Sequence, residues 1–334
     1  MRKVALVLTV LVLAAAGFVV YRVVSYESAT HGSPGGEPVK FTVSSGASLS
    51  GLGPDLQRAG VIGSTTDFKV YLRVSGSSVN LRRGDYNLRR RMPYSQIVST
   101  LAKGPAISFE KVTIPEGFTL TQTAARVGRD SHVSAADFQA AATTATVVPD
   151  LPAPRAATLE GYLYPQTYFI DPKEPAGGLV RRMVSEFNRE AGGLSWTSPP
   201  AGITPYQALV VASLIQREAK VDEDRAQIAA VIYNRYARGM PLGIDATVYY
   251  ALGRTDNRGL TQSDLAVSSP YNTRAHPGLP PTPIASPQLS SIQAALQPAQ
   301  TADLYFVLGS DCKHHVFTSS YQEFLRAKAK QPTC

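Results

Sequence analysis

A single glutamate ends an apolar stretch of the sequence, VVASLIQREAK, at residues 210–220. Glu218 follows Leu214 and Val211 at spacings of four and then three residues, so a helix would align all three on one face. A carboxyl group in apolar surroundings loses solvation, which penalises its charged form and raises its pKa. A glutamic acid that keeps its proton near neutral pH could serve as a general acid.

The alternative for this carboxylate is structural. It could form an ion pair with Arg217, Lys220 or Arg225, or be exposed at the helix end. The spacing by itself leaves both interpretations open.

A tyrosine-rich stretch, LEGYLYPQTYFI, brings aromatic, amide and acid groups together. It contains Tyr162, Tyr164 and Tyr168 close to Glu160 and Gln166. Aromatic faces beside polar groups suit sugar rings, which have an apolar face and hydroxyl edges. A buried tyrosine-rich strand is the competing interpretation.

Two stretches after the apolar helix contain further polar groups. YNRYARGMPLGIDATVYYALG places Asn234, Asp245 and Thr247 near a predicted loop. LAVSSPYNTRAHPGLPPTPIASP is a long loop rich in Ser, Asn and Pro. Loops of this length in compact domains usually have a function, so we expect them to line a cleft for a polyhydroxyl chain.

Composition narrows the classes of function. The 334 residues, 44% of them hydrophobic, predict two or three globular domains, and the net charge of +8 suits an anionic polymer or surface. No nucleic-acid motif or aromatic-interleaved basic stripe is present, so nucleic acid is not a predicted partner. No metal or cofactor is predicted either, since the neighbours His314 and His315 would point to opposite faces of a strand.

The N-terminus predicts a membrane anchor. Arg2 and Lys3 precede an apolar run over residues 4–20, which is close to the length of a bilayer span. A cleaved signal peptide is the alternative. The flanking basic residues place the N-terminus in the cytoplasm and the rest of the chain outside it. Residues 1–26 are therefore the predicted anchor and residues 27–38, rich in Gly, Pro and Ser, a linker.

The remaining elements predict an α+β protein. Residues 39–104 contain the pattern of a small α+β unit, in which LRRGDYNLRRRM is a strand–turn–strand with five arginines, either a solvated face or a contact for anionic polymer or lipid. Residues 105–334 predict a larger mixed α/β domain. Its apolar helix starts with a capping box at Thr204 and Gln207 and a proline at Pro205.

Two cysteines, Cys312 and Cys334, are the only ones in the chain. Outside the cytoplasm such a pair can form a disulfide, which here would tie the C-terminal tail to the loop GSDCK. Two unpaired thiols are the alternative.

Taken in order, these motifs resemble a known family. The run SLIQREAKVDEDRAQIAAVIYNRYARGMPLGIDATVYYAL, with LEGYLYPQTY before it and SPYNTR, GLPPTPIASP, SIQAALQP and HHVF after it, is similar to the endolytic murein transglycosylase (YceG-like) family from about residue 39 to the C-terminus. The resemblance implies an inner-membrane protein with one anchor, a LysM-like subdomain over residues 39–104 and a catalytic domain over 105–334. It also implies cleavage of nascent peptidoglycan strands, with peptidoglycan synthases as further partners.

The resemblance also assigns candidate residues. Glu218 matches the family's catalytic glutamate, which would make 1,6-anhydro ends without water. The residues that match positions expected to bind substrate are Gln216, Asn234, Asp245, Thr247, Glu160, Tyr162, Tyr168, Ser269, Tyr271 and Asn272. Two positions depart from the pattern: Gln166 stands where Asp is common, which removes a charge, and Ala246 where Pro is common. The cysteines are not part of the pattern.

Three hypotheses follow from these residues. The first is a membrane-anchored lytic transglycosylase. The second is a non-catalytic peptidoglycan-binding scaffold for cell-wall synthases. The third is a hydrolytic muramidase, which needs a second carboxylate such as Glu160 or Asp245.

Overall fold

The computed structural model describes residues 2–30, 36–44, 46–105, 109–143, 145–151, 158–256 and 258–331. The chain divides into two compact units, Met1–Ser108 and Phe109–Cys334. Each unit combines helices with short antiparallel strand pairs, so the predicted mixed α and β character is confirmed.

The first unit contains four α-helices and two strands among its described residues. In chain order these are α1 Arg2–Thr30, β1 Pro38–Val43, α2 Gly53–Arg58, α3 Thr65–Ser75, β2 Gly84–Arg89 and α4 Tyr94–Lys103. A 3-10 turn, Ser50–Leu52, precedes α2. Without α1 and α4 the order is strand, helix, helix, strand.

Helix α1 is apolar enough over Leu8–Thr30 to cross a membrane. It continues four residues beyond the predicted anchor boundary at residue 26, so the start of the predicted linker was placed too early. The physical reason is tertiary contact, because Val23 and Tyr26 pack on the core of the first unit. Most of the predicted linker that remains, residues 31–35, lies outside the described residues.

The arginine-rich stretch does not form the predicted strand–turn–strand. Gly84–Arg89 is one strand, β2, and it pairs antiparallel with β1 from Pro38↔Arg89 to Val43↔Gly84. Tyr86 and Leu88 are fully buried on one face of β2. The prediction was wrong because the partner of β2 lies about forty residues earlier in the chain, and such a pairing leaves no local turn signal.

The second unit is larger and mostly helical. Its elements are β3 Glu110–Thr113, α5 Leu120–Asp130, α6 Ala135–Ala141, β4 Thr167–Ile170, α7 Ala176–Ala191, α8 Pro205–Glu218, α9 Arg225–Ala237, α10 Asp245–Ala251, α11 Gln262–Leu265, α12 Leu289–Leu296, β5 Tyr305–Leu308, β6 His315–Thr318 and α13 Tyr321–Ala329. β3 pairs with β4, and β5 pairs with β6.

Helix α8 forms the centre of the second unit. Every residue from Ala208 to Ile215 is buried, so the apolar side chains are not confined to the single face that the spacing suggested. A helix surrounded by protein needs apolar residues on all sides. It packs against α9, α10 and α12, and this packing fixes the direction in which its C-terminal end emerges.

Candidate active site

Glu218 is the last residue of α8, and Ala219 leaves the helix with an extended backbone. At the other end, the predicted capping box of Thr204 and Gln207 is confirmed, with Pro205 in the first helical position. Both hydrogen bonds of this box are made by the pair itself, at 2.8 and 3.2 Å. Well-defined ends and a buried middle hold Glu218 in a fixed place.

Glu218 is a half-buried residue, and its carboxyl group is surrounded by protein. Among the described residues it has neither a hydrogen-bond partner nor an ion pair within 4 Å. Two basic residues that the sequence offered as ion-pair partners of Glu218 contact other groups. Arg217 donates to the Gly117 carbonyl at 3.1 Å, and Arg225 forms an ion pair with Asp222 at 2.7 Å.

Burial raises the pKa of Glu218 to about 7. The negative charge of Asp245 is the second cause in the same direction, whereas Arg217, Arg274 and Lys220 lower it. Loss of solvation penalises the charged carboxylate, and a nearby negative charge adds to that penalty. Glu218 therefore holds its proton close to neutral pH, which is the property that a general acid needs.

Asp245 begins α10 and forms an ion pair with Arg274 of the long loop. Both side chains are partly exposed, and both act electrostatically on Glu218. Asp245, predicted from the sequence, is thus brought next to Glu218. The sequence indicated the loop that contains Arg274 but not Arg274 itself. Its ion-pair partner lies 29 positions away in the chain, and the local sequence gives no sign of that pairing.

Three residues hold the loop segment that presents Arg274. Asn272 is fully buried, and its amide donates to the carbonyls of Leu265 and Val267 at 2.9 Å. The hydroxyl groups of Thr247 and Thr273 lie 2.9 Å apart, both buried. Asn272 and Thr247 therefore act by shaping the loop, because their polar groups are used within the protein.

Gln216 joins α8 to the start of α12. Its side-chain oxygen accepts hydrogen bonds from the Gln288 backbone at 3.1 Å and the Ser291 hydroxyl at 2.8 Å. The end of the long loop is held against α8 in the same way, since the Ser213 hydroxyl accepts from the Ile284 backbone N–H at 3.0 Å. Gln216 thus fixes the loop beside Glu218.

Glu160 is a second carboxyl group with a raised pKa. Burial raises its pKa to about 7 against several hydrogen bonds that lower it. The Leu120 N–H at the start of α5 donates to both of its oxygens at 3.0 Å, and the Tyr250 hydroxyl donates at 3.2 Å. Glu160 is therefore engaged at a helix N-terminus, where a carboxyl group stabilises the free N–H groups.

The tyrosine-rich stretch packs directly on the long loop. Gly161 has φ +87°, and a Cβ there would meet Pro283 at 2.6 Å. Glycine is needed at this position both for the left-handed backbone and for the close approach. Two sequence motifs more than a hundred residues apart are joined here.

Tyr162 and Tyr168 belong to the hydrophobic core of the second unit. Their exposed fractions are 0% and 3%, and the Tyr168 hydroxyl donates to the Tyr164 carbonyl at 2.7 Å. The structure thus places both rings away from solvent, and only residues 167–170 of the stretch form a strand. Tyr271 is partly exposed; its hydroxyl lies 2.9 Å from that of Thr282 and its ring packs on Tyr250.

Two other predicted residues have structural partners. Asn234 lies near the end of α9, and its amide donates to the carbonyls of Thr301 and Asp303 at 2.8 and 2.9 Å. The Ser269 hydroxyl accepts from the Tyr271 N–H at 3.2 Å. Asn234 therefore ties α9 to the segment before β5.

Cys312, one member of the predicted cysteine pair, is disulfide-bonded. Cys312 lies in the turn between β5 and β6 with φ +59°, while Cys334 lies outside the described residues. The adjacent histidines have separate partners, as expected: His314 contacts Asp311 and His315 contacts the buried Asp224, each at 2.7 Å. Residues 2–331, apart from the gaps given above, contain no cluster of three or more His, Cys, Asp or Glu that could hold a metal.

Glu218 does not line either of two hollows on the described surface. A groove of about 800 Å³ lies in the first unit between the start of the 3-10 turn and α3, with the residues that follow α3. A smaller hollow of about 200 Å³ in the second unit is lined by Gln166, Arg182 and Glu186 among others. A glycan cleft at Glu218 therefore stays a prediction.

Glu218, at the end of a core helix and with its pKa raised to about 7 by burial, places this α+β protein in the class that can perform acid-assisted chemistry. The sequence profile of the YceG-like family matches residues 41–330. With more than half of the chain matched, this protein belongs to the YceG-like family.

Relatives and a solved structure agree with this assignment. The chain is 34% identical over 306 residues to the endolytic murein transglycosylase of Bacillus subtilis strain 168, covering 87% of this chain and 84% of the relative. It is 30% identical to that of Streptococcus pneumoniae serotype 2 strain D39, covering 80% of this chain but only 54% of that relative. A crystal structure of a yceG-like protein from Listeria monocytogenes has 30% identity and a TM-score of 0.53, with 87% of this chain and 99% of that chain covered.

Proposed function

We propose that this chain is an endolytic lytic transglycosylase of peptidoglycan. The observation that carries the proposal is the carboxyl group of Glu218, which is unpaired among the described residues and whose pKa burial raises to about 7. The names of the relatives, endolytic murein transglycosylases, point to the same reaction.

In the proposed reaction Glu218 is the only acid and the only base. The protonated carboxyl group donates its proton to the oxygen that links N-acetylmuramic acid to N-acetylglucosamine, and the bond from that oxygen to muramic C1 breaks. The carboxylate then accepts the proton of the muramic 6-hydroxyl while O6 bonds to C1. The products are a 1,6-anhydro end and a free N-acetylglucosamine 4-hydroxyl, and Glu218 is protonated again.

Because no water molecule takes part in this reaction, the protein has to position the sugar itself. The substrate's own hydroxyl replaces water as nucleophile, so the cleft must hold the sugar with O6 close to C1. We expect Gln216, Tyr271 and the loop around Arg274 to border the place where this ring would lie. We propose Tyr271 and Arg274 as substrate contacts, and Gln216, Thr247, Ser269 and Asn272 as residues that shape the cleft.

A hydrolytic muramidase is the weaker alternative. It needs a second free carboxylate to activate water. Asp245 is ion-paired with Arg274, and both oxygens of Glu160 already accept hydrogen bonds. Neither is available as a base in this arrangement.

The first unit is proposed to anchor the enzyme and to bind glycan. Its strand–helix–helix–strand order from β1 to β2 suits the LysM-like subdomain proposed over residues 39–104, and its groove is lined by Leu49, Ser50 and Ser77, among others. With α1 as a single span, the N-terminus would lie in the cytoplasm and the catalytic domain outside the inner membrane. Nascent glycan strands at the membrane, and the synthases that make them, are the proposed partners.

Product analysis tests this function. Sacculi digested with the full-length protein should yield anhydro-muropeptides, detected by mass spectrometry. A hydrolase would instead produce new reducing ends, and a scaffold would produce no new chain ends. Glu218→Gln keeps the shape and removes the titratable proton, so cleavage should be lost while sacculus binding stays. Glu223→Gln is the matched control, since Glu223 is exposed five residues later. Full activity in Glu218→Gln would refute the assignment.

A further inference from the structure

The C-terminal part of α1 is bound firmly to the first unit. Arg22 forms an ion pair with the buried Asp67 at 2.9 Å. The Tyr26 ring stacks on Tyr94 with 4.6 Å between centroids, and Val23 is 5% exposed in the core of this unit. The helix that is apolar enough to cross a membrane is therefore continuous with a folded unit.

Glu27 strengthens this attachment by capping another helix. Helix α4 follows Pro93, which provides no side-chain cap. The two carboxyl oxygens of Glu27 accept hydrogen bonds from the N–H groups of Tyr94 and Ser95 at 2.9 and 3.2 Å. A carboxylate at this position satisfies free N–H groups and complements the helix dipole. The orientation of the unit about α1 is thereby fixed.

This attachment sets the distance between β2 and the membrane surface. Arg22 is the first charged residue after the apolar run and forms an ion pair with Asp67, so we place the end of the bilayer core near Tyr21. Tyr26 lies five residues further, a rise of roughly 7–8 Å, and its hydroxyl donates to the Met92 carbonyl at 3.2 Å. The headgroup layer on each side of a bilayer is about 5–8 Å thick, so the chain next to Met92 lies at headgroup level.

The basic residues next to Met92 are exposed. Arg89, Arg90 and Arg91 end β2 and follow it, and Arg91 acts electrostatically on the Tyr26 hydroxyl. The Arg90 side chain is 59% exposed, and it forms an ion pair of 4.0 Å with Glu37, which is 87% exposed. The backbone of Arg91 is left-handed, with φ +52°, and its N–H donates to the Gly60 carbonyl at 3.1 Å.

The other two arginines of the stretch provide an internal comparison. Arg82 and Arg83 precede β2, and the strand separates them from Arg90 by about 20 Å. They are exposed and carry the same charge, but they lie at the end of β2 that is away from Tyr26.

We propose that Arg89, Arg90 and Arg91 form a site for the phosphate groups of anionic phospholipids at the surface of the membrane that α1 crosses. The inference rests on the proposed anchor. Guanidinium groups bind phosphate in pairs of parallel hydrogen bonds, and basic residues next to a span are attracted by a negative bilayer surface. The site would fix the tilt of the first unit on the membrane.

Lipid retention by the full-length protein tests this site. The protein in dodecyl maltoside micelles would be given equimolar dioleoyl-phosphatidylglycerol and dioleoyl-phosphatidylcholine, and the bound lipids counted by native mass spectrometry. We expect the wild type and the control R82Q/R83Q to prefer phosphatidylglycerol. In R90Q/R91Q the preference for phosphatidylglycerol over phosphatidylcholine should fall by about five-fold for each arginine removed. R90Q alone keeps the left-handed Arg91 in place and should lose about five-fold.

Several results would overturn the inference. No phosphatidylglycerol preference in the wild type, or equal losses in the two double variants, would show that no localised lipid site exists. Binding of soluble polygalacturonate through Arg90 and Arg91 without lipid preference would assign the surface to an anionic polymer instead. Flotation with phosphatidylcholine vesicles tests the proposed anchor separately from the proposed activity. If the wild type fails to float, both the anchor and the lipid site are overturned, whatever the transglycosylase activity of the protein.

Discussion

The carboxylate of Asp245 acts on Glu218 through space while it holds Arg274 in an ion pair. Burial is the main reason that the pKa of Glu218 rises to about 7, and these two charged neighbours act on it in opposite directions. Three elements meet at this point: the end of α8, the start of α10 and the long loop. The acid strength of Glu218 is therefore a property of their arrangement.

The rate of cleavage should depend on pH through Glu218. The free enzyme needs the protonated form, and the pKa is raised to about 7. We expect kcat/KM for anhydro-muropeptide release to be highest below pH 7 and to fall about ten-fold per pH unit above it. A profile measured between pH 5 and pH 9 checks this. A rate that falls instead near pH 4–5 as the pH rises would mean an ordinary solvated carboxyl group.

Asp245→Asn and Arg274→Gln should move that profile in opposite directions. Removing the negative charge lowers the pKa of Glu218, so the fall in rate should begin at lower pH by about half a unit to one unit. Removing the arginine should shift it upward. Residues that only supported the loop would reduce the rate without moving the pH midpoint, so unchanged midpoints in both variants would contradict the electrostatic role.

Glu160 should make the second unit less stable as pH rises. Its pKa is raised to about 7 from an ordinary value of 4.5, so the folded state holds the proton more tightly. The resulting stability is complete below pH 4.5 and is lost as pH rises to about 7, a change of about 3 kcal/mol. Glu218 adds a change of the same sign.

Glu160→Gln should therefore flatten this pH dependence by about half, because the amide still accepts from the Leu120 N–H and carries no charge. Unfolding can be followed by the fluorescence of Trp196, the single tryptophan of the chain, whose indole N–H donates to the Ala191 carbonyl at 3.0 Å. Equal slopes for wild type and variant between pH 5 and pH 8 would argue against a buried proton on Glu160.

Gln216→Met should weaken both the fold and the reaction. It leaves the Gln288 N–H and the Ser291 hydroxyl without their acceptor, at a cost of about 1–3 kcal/mol in the free energy of unfolding. Since the loop beside Glu218 would also shift, kcat/KM should fall by about ten-fold or more. Gln293→Met is the control, because Gln293 is exposed on α12. Similar losses in both variants would point to a general effect of methionine.

The sequence by itself determined the local features. Capping residues predicted the start of α8 after Thr204, and the apolar run over residues 4–20 predicted a helix apolar enough to cross a membrane, because both signals lie within neighbouring residues. The order of the motifs pointed to the family and to Glu218. These predictions needed no knowledge of which segments meet.

Only the tertiary structure decided which polar groups face Glu218. Tyr162 and Tyr168 are buried in the core, and Asn234 contacts the segment before β5. Arg274 pairs with Asp245, which lies 29 residues away in the chain. The pairing of β2 with β1 and the continuation of α1 onto the first unit were hidden for the same reason. Burial and through-space charge depend on distant segments packing together, and spacing along the chain carries little information about that.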